Sequence, residues 1–260
     1  MEDKRPIGLF DSGVGGLSVL LEIAKILPKE NFIFLADQLN VPYGAKTKRE
    51  IEDLSERITH FLQRQKIKAL IIACNTATCY ALDYLRLNFD IPIVGVVPAV
   101  KPAAKMTKIG RIVVMSTPAT AKSSYLDSLV KQFAKNRQCL RLGCPGLEEV
   151  VETLDKNTGN DLIDKYTAKI KKFQADVVVL GCTHFPFLKE EIKKRLGSKV
   201  KVIDSGAAIA RRVKYLLKRK DALSPKKGKD LFFTTGDPKE FSRVASILLD
   251  SNISAEKVEI

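Results

Sequence analysis

Short runs with no polar position at all constrain this chain more than any other feature, Leu70-Ile71-Ile72-Ala73 and Val177-Val178-Val179-Leu180 being the clearest. A strand with one wet face alternates apolar and polar residues. A run that is apolar throughout fits a strand covered on both faces, as in a parallel sheet flanked by helices. Strands are expected at Ile7–Phe10, Phe32–Ala36, Leu70–Ala73, Ile93–Val97, Ile112–Met115, Cys139–Leu142, Val177–Leu180, Val200–Ile203 and Leu231–Thr234. Amphipathic stretches between them predict helices over Leu17–Leu27, Arg49–Gln65, Thr76–Leu87, Ala119–Ala134, Leu147–Leu154, Asn160–Phe173, Phe187–Leu196, Ala207–Leu217 and Pro238–Leu249. The alternation is βαβα, so the class is α/β.

A weak internal repeat divides this pattern. An early strand ends in Asp11-Ser12-Gly13, and about a hundred residues later another ends in Ser116-Thr117. Leu70-Ile71-Ile72-Ala73 runs into Cys74-Asn75-Thr76, and Val178-Val179-Leu180-Gly181 runs into Cys182-Thr183-His184. Asp11 and Cys74 are 63 residues apart, Thr117 and Cys182 are 65 apart. We therefore expect two similar Rossmann- or flavodoxin-like parallel-sheet domains, related by a pseudo-twofold and facing across a cleft. The first would be formed by 1–97 with 206–260, the second by 98–205. Open parallel sheets bind ligands beyond the carboxyl ends of their strands, which is where both cysteines fall.

A cysteine between a strand end and a helix start meets unpaired backbone N–H groups and the positive end of a helix dipole, which favour its thiolate. One such cysteine suggests a nucleophile; two, on opposed halves, suggest proton transfer to opposite faces of one carbon. Racemisation has that requirement, because a catalyst that works in both directions needs an acid and a base that exchange roles. Asp11 is positioned by sequence to assist Cys74, and His184 to pair with Cys182, with a carboxylate such as Glu152 orienting the imidazole. Glu152 lies in a helix with Glu148 and Glu149, and spacing does not choose among them. Ser12, Asn75, Thr76, Thr117, Thr120 and Thr183 supply uncharged groups suited to a ligand's carboxylates.

Taken singly, each cysteine is better explained by packing, and the polar neighbours at both sites reverse that balance. His60 has no such neighbours and is read as structural; Cys79, Cys139 and Cys144 are read as filler. Gly13 and Gly15 begin a dinucleotide-like loop, but Ser18 occupies the third glycine position and no Lys-Ser/Thr pair follows. Pro42-Tyr43-Gly44 reads as a turn. Five cysteines, an odd number with no Cys-x2-Cys pair, argue against a disulfide framework or a structural zinc. No lysine has the context of a pyridoxal-phosphate site. No apolar run approaches the ~18–20 residues of a membrane span, and the opening Met1-Glu2-Asp3-Lys4-Arg5 is unlike a secretory signal; a cytoplasmic protein is expected. The formal charge of +14 raises nucleic-acid binding as a competing role. Its densest stretch, Arg211 to Lys229, carries no recognition motif and is read as a solvated face.

These residues resemble the bacterial glutamate racemases. The resemblance spans nearly the whole chain and rests on Phe10-Asp11-Ser12-Gly13-Val14-Gly15-Gly16-Leu17, Pro42-Tyr43-Gly44, Ala73-Cys74-Asn75-Thr76-Ala77 and Gly181-Cys182-Thr183-His184-Phe185-Pro186. Val97-Pro98-Ala99-Val100-Lys101-Pro102, Cys144-Pro145 with Glu152, and Val202-Ile203-Asp204-Ser205-Gly206 add to it. It implies cofactor-independent interconversion of L- and D-glutamate by Cys74 and Cys182, with Asp11 assisting the first and His184, set by Glu152, the second. Asp11, Ser12, Tyr43, Gly44, Asn75, Thr76, Thr117, Thr120, Thr183 and His184 would line the substrate pocket, with no metal. A homodimer supplying D-glutamate for peptidoglycan is also implied, and aspartate is the competing substrate. Two departures stand out: Ser116 replaces the glycine usual before the threonine, and Thr120 to Tyr125 is one residue short.

Overall fold

A computed structural model describes residues 3–260 of the chain; Met1 and Glu2, where the first expected domain begins, lie outside them. The chain separates into two compact units, Met1–Val96 with Gly206–Ile260, and Val97–Ser205. Each is built on its own parallel sheet flanked by helices.

The first unit runs β1 (Ile7–Asp11), α1 (Leu17–Ile26), β2 (Phe32–Ala36), α2 (Lys48–Arg64), β3 (Ala69–Ile72), α3 (Asn75–Asn88) and β4 (Ile93–Gly95). The second runs α4 (Val100–Met106), β5 (Arg111–Ser116), α5 (Pro118–Lys122), α6 (Ser124–Phe133), β6 (Gln138–Gly143), α7 (Leu147–Thr153), α8 (Lys156–Phe173), β7 (Val177–Leu180), α9 (Lys189–Leu196) and β8 (Lys201–Ile203). The chain then returns to the first unit with α10 (Gly206–Arg219), β9 (Leu231–Thr234), α11 (Pro238–Leu249) and β10 (Ala255–Lys257).

The strand orders are β10-β9-β2-β1-β3-β4 and β6-β5-β7-β8. The four strands β2-β1-β3-β4 therefore repeat as β6-β5-β7-β8, and every pair is parallel. The register sharpens the repeat seen in the sequence. Phe10 pairs with Ile72 in the first sheet and Met115 with Leu180 in the second, so both cysteines sit two residues beyond equivalent pairs. Asp11 then corresponds to Ser116 and Ser12 to Thr117. Matching Asp11 with Thr117 by spacing was one residue off.

β1, β2, β3 and β7 are buried at every position, as the unbroken apolar sequences of β2, β3 and β7 require; β1 ends in the buried Asp11. In the first unit one core layer joins Ile51, Ile58 and Leu62 of α2 and Ala77, Ala81 and Leu85 of α3 to the sheet. α10 buries Ile209, Ala210, Val213 and Leu217, while Arg211, Arg212, Lys214 and Lys218 of the same helix are exposed. The basic stretch is thus the wet side of an amphipathic helix. In the second unit, two layers cover the sheet, one centred on Tyr166, Ile170 and Phe185, the other on Val100, Ala103 and Leu126.

Three elements differ from the expected pattern. The helix expected over Ala119–Ala134 breaks at Ser123, whose extended backbone (φ −66°, ψ 142°) ends α5 while its hydroxyl caps α6 by accepting from the Leu126 N–H at 3.1 Å. α4 and β10 had no counterpart in the sequence reading.

Candidate active site

In the first unit, the carboxyl end of the sheet gathers Asp11, Ser12, Cys74, Asn75 and Thr76. Cys74 leaves β3 in extended conformation and caps α3, its Sγ accepting from the Ala77 N–H at 3.5 Å. Its sulfur lies 3.9 Å from Ser12 Oγ. Asp11 ends the neighbouring β1, and its Oδ1 accepts from the Ser12 N–H at 2.7 Å and from the Ser12 hydroxyl at 3.3 Å. A carboxylate, a hydroxyl and a thiol are therefore in series. Asn75 is buried, and its amide donates to the Val96 carbonyl at 3.0 Å; Thr76 is buried beside it.

The turn at Pro42-Tyr43-Gly44 becomes a 3₁₀ turn, Tyr43–Ala45, and Tyr43 is buried in the same cluster as Cys74. Its hydroxyl donates to Asp37 Oδ2 at 2.7 Å. Burial first, then the Asp37 charge, holds the Tyr43 phenol well above its ordinary range. It stays protonated, with that proton engaged by Asp37. Asp37 also accepts from Asn40 at 2.9 Å and from Thr235 at 2.9 Å. Sequence reasoning passed over Asp37, although it follows β2 as Cys74 follows β3, and a carboxylate after a buried strand was an available signal.

The glycine-rich turn is a packing device. Gly16 has ordinary helical angles, but a Cβ there would lie 2.7 Å from Asp11 Cβ and 3.0 Å from Ala73 Cβ. Any larger residue would push on the two segments that carry Asp11 and Cys74.

In the second unit, Glu152, His184 and Cys182 form a line. His184 Nε2 is 2.6 Å from Glu152 Oε1, and Nδ1 of the same ring is 3.7 Å from Cys182 Sγ. α7 presents Glu152, and the residues after β7 present the other two. The geometry selects Glu152 over Glu148 and Glu149 as the carboxylate on His184. Burial acts first on His184, favouring neutral imidazole. The hydrogen bonds to Cys182 and Glu152 outweigh it, so the ring titrates well above its ordinary value. Burial pushes the Cys182 thiol up, with His184 opposing. The helix start favours a thiolate, and burial at Cys182 acts against it. Cys182 precedes only a 3₁₀ turn, Phe185–Leu188, so it lacks the long dipole that α3 offers Cys74.

Thr183 is buried next to this line. Thr117 caps α5, its Oγ1 accepting from the Thr120 N–H at 3.2 Å and donating to the Thr120 hydroxyl at 3.1 Å. Ser116, the departure from the glycine pattern, is buried, and its hydroxyl donates to the Thr117 carbonyl at 3.2 Å. The extra side chain is absorbed locally. Cys144, read as filler, lies in the same core layer as Cys182. Burial pushes its thiol far up, which fits an inert packing role.

Lys68 is the one buried lysine among the described residues, and it immediately precedes β3, at the end opposite Cys74. Among the described residues no three His, Cys, Asp or Glu side chains are grouped to hold a metal ion, and no helix is long and apolar enough to cross a membrane.

A family model described as Asp/Glu/hydantoin racemase matches residues 7–213. The chain belongs to that family. A glutamate racemase of Herpetosiphon aurantiacus is 43% identical over 252 residues, which is 95% of this chain and 99% of the relative. Among solved structures, a Bacillus anthracis glutamate racemase superposes with a TM-score of 0.89 at 33% identity, covering 98% of each chain. An Escherichia coli glutamate racemase, in complex with L-glutamate and an activator, superposes with a TM-score of 0.88 at 35% identity, again over 98% of each. As a family member the chain is an amino-acid racemase, an isomerase.

Glu152→Gln tests the His184 arrangement. Loss of the carboxylate charge lowers the affinity of the ring for its proton, and kcat is expected to fall about 10²-fold. The sign of the stability effect follows from His184 titrating above its unfolded value. The pairing stabilises fully below pH about 6.5 and is lost as pH rises through the raised value. The thermal midpoint of the variant should trail the parent most near pH 6, with the gap closing in alkali. A gap that widens with pH would contradict this assignment.

Proposed function

We propose that the chain interconverts L- and D-glutamate without a cofactor, Cys74 and Cys182 acting as the two proton-transfer groups. One cysteine, as thiolate, takes the α-proton, and the C–H electron pair remains on the carbon as a carbanion. The other, as thiol, delivers a proton to the opposite face. After one turnover the thiolate and thiol have exchanged places, and the reverse reaction uses the same steps. Asp11 acts on Cys74 through Ser12, and the Glu152–His184 pair acts on Cys182. The main-chain and hydroxyl donors at Ser12, Gly44, Asn75, Thr76, Thr117, Thr120 and Thr183, with the side chains of Tyr43 and His184, hold the substrate's charged groups.

The observation that carries this reading is the repeated strand order, which gives each sheet one cysteine at an equivalent position after its third strand in chain order. The unit Met1–Val96 with Gly206–Ile260 and the unit Val97–Ser205 each contribute one thiol. Glutamate as substrate is supported by relatives at up to 43% identity over nearly full length and by the L-glutamate complex of the Escherichia coli protein. The family resemblance supports a cytoplasmic homodimer that provides D-glutamate for peptidoglycan.

The test is glutamate in heavy water with no added cofactor. Deuterium should enter Cα as the optical rotation decays, from either enantiomer, with aspartate turned over far more slowly. Comparable turnover of aspartate would remove the substrate assignment. A requirement for pyridoxal phosphate would remove the mechanism.

A further inference from the structure

Glu148 stands one helical turn before Glu152 on α7, so the two carboxylates share a face of that helix. Glu152 meets His184. Glu148 has no such partner: its Oε2 is sealed from solvent and accepts no hydrogen bond, and no cation pairs with it among the described residues. A carboxylate oxygen held this way is costly to bury, and the described mechanism makes no use of it. Its charged and titratable neighbours are few. Glu149 adjoins it on α7 and is exposed; Cys144 precedes the helix; Tyr166, Lys165 and Lys169 belong to α8, which packs against α7, and both ammonium groups lie over the Tyr166 ring at 5.7 and 5.8 Å. The 3₁₀ turn on the other side contributes only His184, at its start, leading back to Cys182.

We propose that Glu148 is a positioning residue for the Cys182 half of the reaction, its buried carboxylate keeping the Cys182–His184 pair loaded with protons so that Cys182 rests as the acid. The inference relies on the two-thiol reading above. A negative charge at this place opposes formation of the Cys182 thiolate and favours the His184 imidazolium, and both effects retain protons on the pair. The same interactions act in return on Glu148, whose carboxyl is raised by burial and lowered by His184. Glu152 orients the ring by direct contact; Glu148 sets the pH at which the pair lets a proton go.

The experiment follows alkylation of Cys182 by iodoacetamide against pH, read on the Cys182 peptide by mass spectrometry, which needs no turnover. In Glu148→Gln, which keeps shape and removes charge, the midpoint should move down by about one pH unit, and Glu148→Met should give the same shift. Glu148→Asp, which retains the charge, should stay near the parent. The pH profiles of kcat/KM should separate by direction: at pH 6 the direction in which Cys182 is the base gains several-fold over the parent, and the other does not. Melting curves close to or above the parent's establish that the variants are folded: Glu148→Met removes the unpaired buried acceptor, and Glu148→Gln replaces a buried charge by a neutral amide. Folded Glu148→Gln and Glu148→Met proteins with an unmoved or raised midpoint overturn the proposal. A parent protein that fails to racemise glutamate overturns the function instead and leaves the alkylation result readable.

Discussion

Cys74→Ser and Cys182→Ser are each expected to lose racemisation, with kcat falling about 10³-fold or further. Serine preserves the hydrogen-bonding shape of each site but holds its proton too tightly to serve as a base near neutral pH. The two losses are expected to be asymmetric. Each variant retains one thiol, which can still remove the α-proton of one enantiomer and return a solvent deuteron to the same face. Exchange without inversion should therefore persist for L-glutamate in one variant and for D-glutamate in the other. Chiral chromatography alongside proton NMR in heavy water distinguishes the cases. Full racemase activity in either single variant defeats the two-thiol mechanism, and exchange of both enantiomers in one variant defeats the assignment of one face to each sulfur.

How far the sequence alone reaches depends on which physical signal a feature leaves. Phe32–Ala36, Val177–Leu180 and Leu231–Thr234 were legible to the residue, because a buried parallel strand must be apolar at successive positions and polar residues mark its ends. β10, Ala-Glu-Lys, leaves no such mark: it bonds to β9 alone at the sheet edge, and two of its three residues are exposed. α4 was hidden by Pro98 and Pro102. Pro102 is the third residue of that helix, inside the first turn, where a missing N–H breaks no intrahelical bond.

The candidate site divides in the same way. Cys74 and Cys182 were visible because each interrupts an apolar run with polar residues. Glu152 was not separable from its neighbours, because periodicity puts Glu148 and Glu152 on one face and only the position of His184 chooses between them. Gly16 was visible only as part of the glycine-rich motif, whereas its function, leaving room for Asp11 Cβ, depends on a contact with β1 that no local pattern encodes. At Cys182 the same division holds: helix position is written in the sequence, and the depth of burial that acts against its thiolate is not.

The largest effect on folding should come from Lys68, at the opposite end of β3 from Cys74. Its ammonium is buried, 2.6 Å from Glu30 Oε2, and donates to the carbonyls of Asp3 at 2.9 Å and Ala222 at 2.8 Å. Glu30 Oε1 accepts from the Ser224 N–H at 2.8 Å. One ion pair thus fastens the start of the chain and the segment after α10 to the base of the first sheet. Desolvating two charges offsets most of their attraction, so the pair itself adds little net stability, but removing one partner strands the other in a dry site. Lys68→Met should cost about 3–5 kcal/mol by that reasoning, read as a fall in the urea midpoint of the first unit. Adding Glu30→Gln to it should recover a large part of the loss, because the unpaired charge is then gone. Activity per folded molecule should change little in either protein, since Cys74 and Asp11 are at the far end of their strands. A Lys68→Met protein as stable as the parent would show that the ion pair does not hold these segments, and the fastening role would then fall to the main-chain hydrogen bonds alone.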